Sequence, residues 1–264
     1  CDERIDQYIE WDVLEDGKPA KWIPHNANGI YTGDMMTLKA AFARSINTIA
    51  VQIAREAGIP NIIKTAHAMG IKTPLNETPA VSLGASDVSL LELVNAYGTV
   101  INDGMVHDPV MVTRIEDKNG KIIYRHKQEQ KQALPYETAF LMTQMLMAGL
   151  TEPMGTSQAL WGYDLFRYNT DFGGKTGTSS NHSDAWFVGV TPNLVGGCGS
   201  EANTAVFISV RELSDKVAEP HYRYSDILWK KFLPMTACQN IGRVSRIRNK
   251  PSPGHISAEL LIPR

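Results

Sequence analysis

Between residues 37 and 104 the apolar positions recur three and four apart, the period that lines one side of a helix. The stretch 37-TLKAAFA-43 begins the pattern. After 44-RSIN-47 a second run, 48-TIAVQIAREAG-58, closes on Gly58, a residue type that ends helices because it tolerates a left-handed backbone. Two helices therefore meet at Ser45-Ile46-Asn47. A third helix fits 60-PNIIKTAHAMG-70, with Pro60 in the first turn, where no N–H is needed, and Gly70 as its stop. Ser89 and Glu92 have the spacing of a capping box ahead of Leu90, Leu91, Leu93, Val94 and Tyr97, so a fourth helix starts there and closes at Gly104.

Further on the period drops to two. The segments 110-VMVTRIED-117 and 121-KIIY-124 alternate around Asn119-Gly120, a tight-turn dipeptide, and predict a hairpin. Pro135 opens a fifth helix, 136-YETAFLMTQMLMAGL-150, whose methionines read as core filler, and a loop is expected from Thr151 to Asn169. Three strand candidates follow, 174-GKTGT-178, 185-AWFVGV-190 and 204-TAVFISV-210, with a turn at Thr191-Pro192-Asn193; together they predict an antiparallel sheet. Residues 1–36 are polar and aromatic, with turn signals at Gly17-Lys18-Pro19 and 26-NANG-29, and predict irregular structure with short strands at most. A closing helix is expected at 225-SDILWKKFL-233, before an unassigned tail. The class is α+β.

Composition adds exclusions. With 264 residues, 43% hydrophobic and 20% charged, the chain can bury a core. A net charge of −2 and a pI near 6.4 leave no electrostatic footprint for nucleic acid, and the basic run 243-RVSRIRNK-250 reads as a solvated tail. Cys1, Cys198 and Cys238 form no C-x-x-C pair, so neither a disulfide framework nor a zinc site is signalled. The seven histidines show no H-x-x-x-H pairing, and no metal or cofactor is implied. Among them His182, beside the lysine segment, is the one worth substituting.

That segment, 173-GGKTGTSSN-181, carries the candidate chemistry. A strand over 174–178 places Thr176 and Thr178 on one face and Lys175 on the other, while Gly177 leaves the backbone open. An extended substrate can pair with such an edge, with a backbone N–H near Thr178 facing the carbonyl under attack. The plain alternatives are a surface hairpin with a solvated lysine, a Ser45 that only caps the next helix, and an Asn47 that only turns the chain. Ser45-Ile46-Asn47 followed by Lys175-Thr176-Gly177, an S-x-N and then a K-T-G, points instead to penicillin-interacting enzymes.

The sequence resembles the transpeptidase domain of penicillin-binding proteins, most closely the bifunctional class A type. The resemblance runs from 31-YTGDMMTLKAAFARSINTIAVQIAREAGI-59 through 81-VSLGASDVSLLELVNAYGTVINDG-104 and 113-TRIEDKNGKIIY-124 to 173-GGKTGTSSNHSDAWFVGVTPNLVGG-197, and fades beyond Gly197. It implies the serine β-lactamase/transpeptidase-like fold, an antiparallel sheet flanked by helices plus a helical subdomain. On that pattern residues 25–110 form the helical part with S-x-N, and 111–264 the sheet part with K-T-G. The family's first motif, S-x-x-K, supplies the nucleophilic serine, and no serine here has lysine three places on. The expectation is an incomplete domain over 1–264 whose nucleophile lies in a missing N-terminal part, inactive alone.

Carried over, Ser45 relays a proton between nucleophile and leaving amine. Asn47 holds the substrate peptide and the lysine network, and Lys175 supplies positive field and positions Ser45. Thr176 and Thr178 hydroxyls bind the terminal carboxylate of a D-Ala-D-Ala stem peptide or a β-lactam, with Gly177 between them and the Thr178 N–H as half of an oxyanion hole. The implied function is DD-transpeptidation in peptidoglycan cross-linking, outside the cytoplasmic membrane, in a parent protein anchored there. A non-catalytic peptide-binding or scaffold module is the alternative. A serine β-lactamase is disfavoured for want of a water-activating residue.

Overall fold

The computed structural model describes residues 2–15, 17–127, 129–162, 171–179, 184–201, 204–213 and the strand at 257–263. The expected helix at 225–233, the basic run at 243–250 and His182 lie outside the described residues.

The first 37 residues hold four short strands: β1 (Glu3–Ile5), β2 (Trp11–Glu15), β3 (Lys18–Trp22) and β4 (Met35–Thr37). β1 pairs with β4 and β2 with β3, all antiparallel. Helix α1 (Leu38–Arg44) starts where the Thr37 hydroxyl accepts the Ala40 N–H at 3.2 Å. α2 (Asn47–Ala57) and α3 (Ile59–Ala68) are separated by Gly58 alone, whose φ of 81° only glycine adopts cheaply. All three fall within a residue or two of the sequence expectation.

α4 (Leu90–Ile101) carries the expected capping box, and more than that pattern promised. The Glu92 carboxylate also accepts the Thr73 hydroxyl at 2.7 Å and the Lys72 and Thr73 N–H groups at 2.9 and 3.0 Å. The Thr73 hydrogen bond above all, helped by those from Lys72 and Ser89 and opposed by partial burial, holds its pKa near 2. This depressed value means stability that is present above the ordinary 4.5 and lost as pH falls from 4.5 toward 2. Glu92→Ala is expected to lower unfolding free energy by about 1–2 kcal/mol at pH 7. In urea unfolding the gap between variant and wild type should shrink across that acid window; a gap independent of pH would mean the carboxylate's charge is not what holds the cap.

After α4 come β5 (Met105–Val106), β6 (Arg114–Glu116), β7 (Ile122–Arg125) and β8 (Lys131–Gln132). β6 and β7 are the expected hairpin, shorter at its start than 110–117, with the Thr113 carbonyl still accepting the His126 N–H at 2.9 Å. α5 (Tyr136–Thr151) follows Pro135. Its fully buried positions are Ala139, Leu146, Ala148, Gly149 and Leu150, so small residues and leucine fill the core where methionine was expected, and Met142, Met145 and Met147 sit half-buried at its margin. The loop after it is interrupted by a 3-10 turn at Gln158–Gly162.

The main sheet contains β9 (Gly173–Thr178), β10 (Asp184–Thr191), β11 (Leu194–Glu201), β12 (Thr204–Leu213) and β13 (Ser257–Pro263), in the order β13-β12-β11-β10-β9. Pairing is antiparallel except between β12 and β13. β11 escaped the alternation pattern because Gly196, Gly197 and Gly199 interrupt it, and Gly197 and Gly199 have steric reasons. A Cβ on Gly197 would stand 2.5 Å from Val94 Cγ2, where α4 lies against the sheet. Cys198 of the same strand is disulfide-bonded, which sequence spacing does not show because pairing depends on Cα proximity in the folded chain.

α4 and α5 cover the sheet with a core of Leu90, Val94, Val100, Leu134, Leu146, Val188, Val190 and Val195. Each such side chain contributes about 1.5–3 kcal/mol by leaving water. β9 lies flush against α5: a Cβ on Gly173 would be 2.9 Å from the Leu146 carbonyl carbon. This packing seats the K-T-G strand on α5, which also contacts α1, the helix that ends at Ser45.

Candidate active site

The S-x-N corner is made by a helix ending and another beginning within three residues. Ser45 takes φ 58° and ψ 49°, the left-handed cap geometry, and its N–H donates to the Phe42 carbonyl at 3.1 Å while Ile46 N–H reaches Ala41 at 3.0 Å. A side chain in that region costs about 1 kcal/mol or more relative to glycine, so its retention there calls for a use. Capping α2 is not that use: the N-cap of α2 is Ile46, with no side-chain bond.

The Ser45 hydroxyl instead accepts from Lys175 Nζ at 2.9 Å, across 130 residues of sequence. Nζ also donates to the Thr176 carbonyl at 2.8 Å and lies 5.9 Å from the Phe42 ring centre. Among the described residues no carboxylate pairs with it. Burial without a counter-ion lowers its pKa from 10.5 to about 8. A lysine in that state is cationic at neutral pH and holds its proton loosely, which suits a group that both supplies field and exchanges a proton.

Thr176 follows on β9, and its hydroxyl is 2.8 Å from that of Thr156. Thr178 is exposed, and Gly177 has nothing closer to a notional Cβ than Trp186 Cβ at 3.8 Å. β9 pairs with β10 and, among the described residues, with no other strand on the edge beside the Ser45–Lys175 contact. Asn47 is placed differently from the other motif residues: its Nδ2 donates to the His25 carbonyl at 2.7 Å, away from Lys175.

These features have counterparts in known proteins. Residues 5–196 match the penicillin binding protein transpeptidase domain. The chain belongs to that family. Among relatives of this transpeptidase domain, Penicillin-binding protein 2D of Bacillus subtilis is 29% identical over 252 residues, covering 92% of this chain and 35% of the relative. Penicillin-binding protein 1A of Rickettsia prowazekii is 30% identical over 200 residues, covering 69% and 25%. The chain thus spans about a third or less of these relatives. The crystal structure of Penicillin-Binding Protein 1A from Haemophilus influenzae superposes with a TM-score of 0.62 at 24% identity over 71% of this chain and 32% of that one, which establishes the transpeptidase fold. Among the described residues no helix is long and apolar enough to cross a membrane, and no cluster of three metal-ligating side chains occurs.

Two residues that the motifs did not reveal brace this candidate site. Thr156 is one. Asp6 is the other: it has no exposed surface, and its Oδ1 accepts Thr48 Oγ1 at 2.7 Å and Asn26 Nδ2 at 2.8 Å. Its Oδ2 accepts the Thr32 N–H and hydroxyl at 3.0 and 3.1 Å. Asn26 in turn accepts the Thr48 N–H at 3.3 Å, beside the first turn of α2. A lone aspartate in a polar N-terminal segment carries no signal of its own; the turn at 26–29 and the start of α2 were legible, but not that one carboxylate joins them.

Proposed function

We propose that this chain carries the substrate-binding half of a DD-transpeptidase site that builds peptidoglycan cross-links outside the cytoplasmic membrane. The observation that carries the reading is the 2.9 Å contact of Lys175 Nζ with Ser45 Oγ, which joins S-x-N to K-T-G. In the reaction a nucleophilic serine attacks the carbonyl between the two terminal D-alanines, the terminal D-alanine leaves with a proton, and a neighbouring stem-peptide amine takes the acyl group. Ser45 passes the proton, Lys175 keeps Ser45 oriented and the local field positive, and Thr176 and Thr178 take the terminal carboxylate. The Thr178 N–H stabilises the oxyanion, an interaction whose loss costs about 2.7–4 kcal/mol where it has been tested. Asn47 holds the peptide backbone from the far side of the corner.

No serine of the chain has lysine three residues on, so the acylating serine comes from sequence outside these 264 residues, and the chain alone does not acylate. The same fact supports the second reading, a peptide-binding module without chemistry. Intact mass after incubation with a penicillin separates them, measured on this chain and on a longer chain that includes an S-x-x-K segment. A covalent adduct on the longer chain only is the expected result. No adduct on either leaves the binding module, and an adduct on this chain alone would show that a different nucleophile operates.

A further inference from the structure

The segment leaving α5 brings a second hydroxyl to the carboxylate end of the site. Three ties fasten it to α1: Lys39 pairs with Glu152 at 2.9 Å, Arg44 Nε donates to the Pro153 carbonyl at 3.2 Å, and the Thr156 N–H donates to the Ala43 carbonyl at 2.9 Å. Gly155 lies so close to α5 that a Cβ would stand 2.2 Å from the Gly149 carbonyl oxygen. Residues 152–156 are therefore a fixed strap. It hangs Thr156 between the last turn of α1 and β9, where Thr176 Oγ1 donates to Thr156 Oγ1 at 2.8 Å.

We propose that Thr156 is a positioning residue for carboxylate recognition, setting the direction in which Thr176 presents its proton. The inference rests on the reading of Thr176 as a carboxylate ligand. A threonine hydroxyl has one proton and two lone pairs. In the structure the Thr176 proton goes to Thr156. A substrate carboxylate is an acceptor only, so Thr176 must turn its proton toward it. The lone pair facing Thr156 then needs a donor, and the Thr156 hydroxyl supplies one by rotating in turn. Both oxygens stay in place and only two O–H bonds swing, and each hydrogen bond in such a chain polarises the next. An amide terminus, which presents N–H donors of its own, draws less from this relay.

The test is binding of a peptide ending in D-Ala-D-Ala and of the same peptide as its C-terminal amide, titrated by NMR against the full chain. Wild type is expected to prefer the acid by roughly tenfold, as one hydrogen bond to a charged group implies. Thr156→Val, which swaps hydroxyl for methyl, should cut that preference by about three- to tenfold without moving the thermal midpoint, and Thr156→Ser should restore it. If valine lowers the midpoint, Thr156→Ala makes the same comparison. A valine or alanine variant that keeps the wild-type preference overturns the relay while leaving Thr176 as ligand. If wild type itself does not tell acid from amide, the carboxylate reading of Thr176 falls, and the relay with it.

Discussion

Asp6→Ala is expected to lower the unfolding free energy by about 4 kcal/mol, because two buried donors lose their acceptor at about 1–3 kcal/mol each. They are the Thr48 hydroxyl and the Asn26 amide, whereas the Thr32 hydroxyl and N–H, which also bond Asp6, belong to an exposed residue and can turn to water. Burial pushes the Asp6 carboxyl pKa up, yet hydrogen bonds from Thr48, Thr32 and Asn26 outweigh it and the net value lies below 3.8. The folded state therefore favours the carboxylate, and its contribution is present above 3.8 and disappears as pH falls below that value. Asp6→Asn keeps the acceptor for Thr48 but turns an NH2 toward the Thr32 N–H, so about half of the loss should remain. Urea unfolding at pH 7 measures both variants. A loss under about 1 kcal/mol for alanine would mean that water replaces the carboxylate and that the site corner does not depend on it. Because Asn47 donates to His25, next to Asn26, the same substitution should also loosen the hold on Asn47.

Lys175→Met is expected to act in opposite directions on stability and on function. The ordinary pKa of 10.5 falls to about 8 in the folded chain because the charge is buried. Below pH 8 the fold carries the full penalty of that buried charge; as pH rises from 8 to 10.5 the unfolded chain still binds the proton and the folded one does not, so the penalty fades. The ceiling is about 3 kcal/mol, and with the bonds to Ser45 and Thr176 lost, methionine should stabilise the chain at pH 7 by about 2 kcal/mol. The advantage should vanish by about pH 10.5. Acylation by penicillin in a chain that includes the S-x-x-K segment should fall ~10²-fold or more, the scale of a lost proton-transfer group. Thermal midpoints from pH 7 to 10 check the first half. A variant that is less stable than wild type at pH 7 would show that the two hydrogen bonds outweigh the buried charge.

The helices were legible because each carried its own punctuation: Gly58 between α2 and α3, Ser89 with Glu92 before α4, Pro135 before α5. The K-T-G strand was legible from motif and alternation together. β11 was not, since its glycines are chosen by what α4 and Trp186 leave no room for, as the 3.0 Å between a Cβ on Gly199 and Trp186 Nε1 shows, and such a choice is tertiary. β13 pairs in parallel with β12, from a tail to which the sequence assigned no element, and parallel pairing leaves no local turn signal. In the candidate site, Ser45, Lys175 and Thr176 could be named because they belong to motifs, whereas Asp6 and Thr156 act through hydrogen bonds to distant segments and leave no pattern.

The glycines of β9 work as the cuts of a key. A strand that slides must move by two residues to keep its faces. Moved one way, β9 would carry Lys175 into the place of Gly173 and Thr176 into that of Gly174, where even a Cβ meets the Leu146 carbonyl carbon at 2.9 Å and Phe187 Cζ at 2.5 Å. Moved the other way, it would leave the lysine about 7 Å short of the serine it serves. The lock is thus set by side chains that are missing, and a methyl added at Gly173 or Gly174 would jam it as surely as the loss of the lysine would empty it.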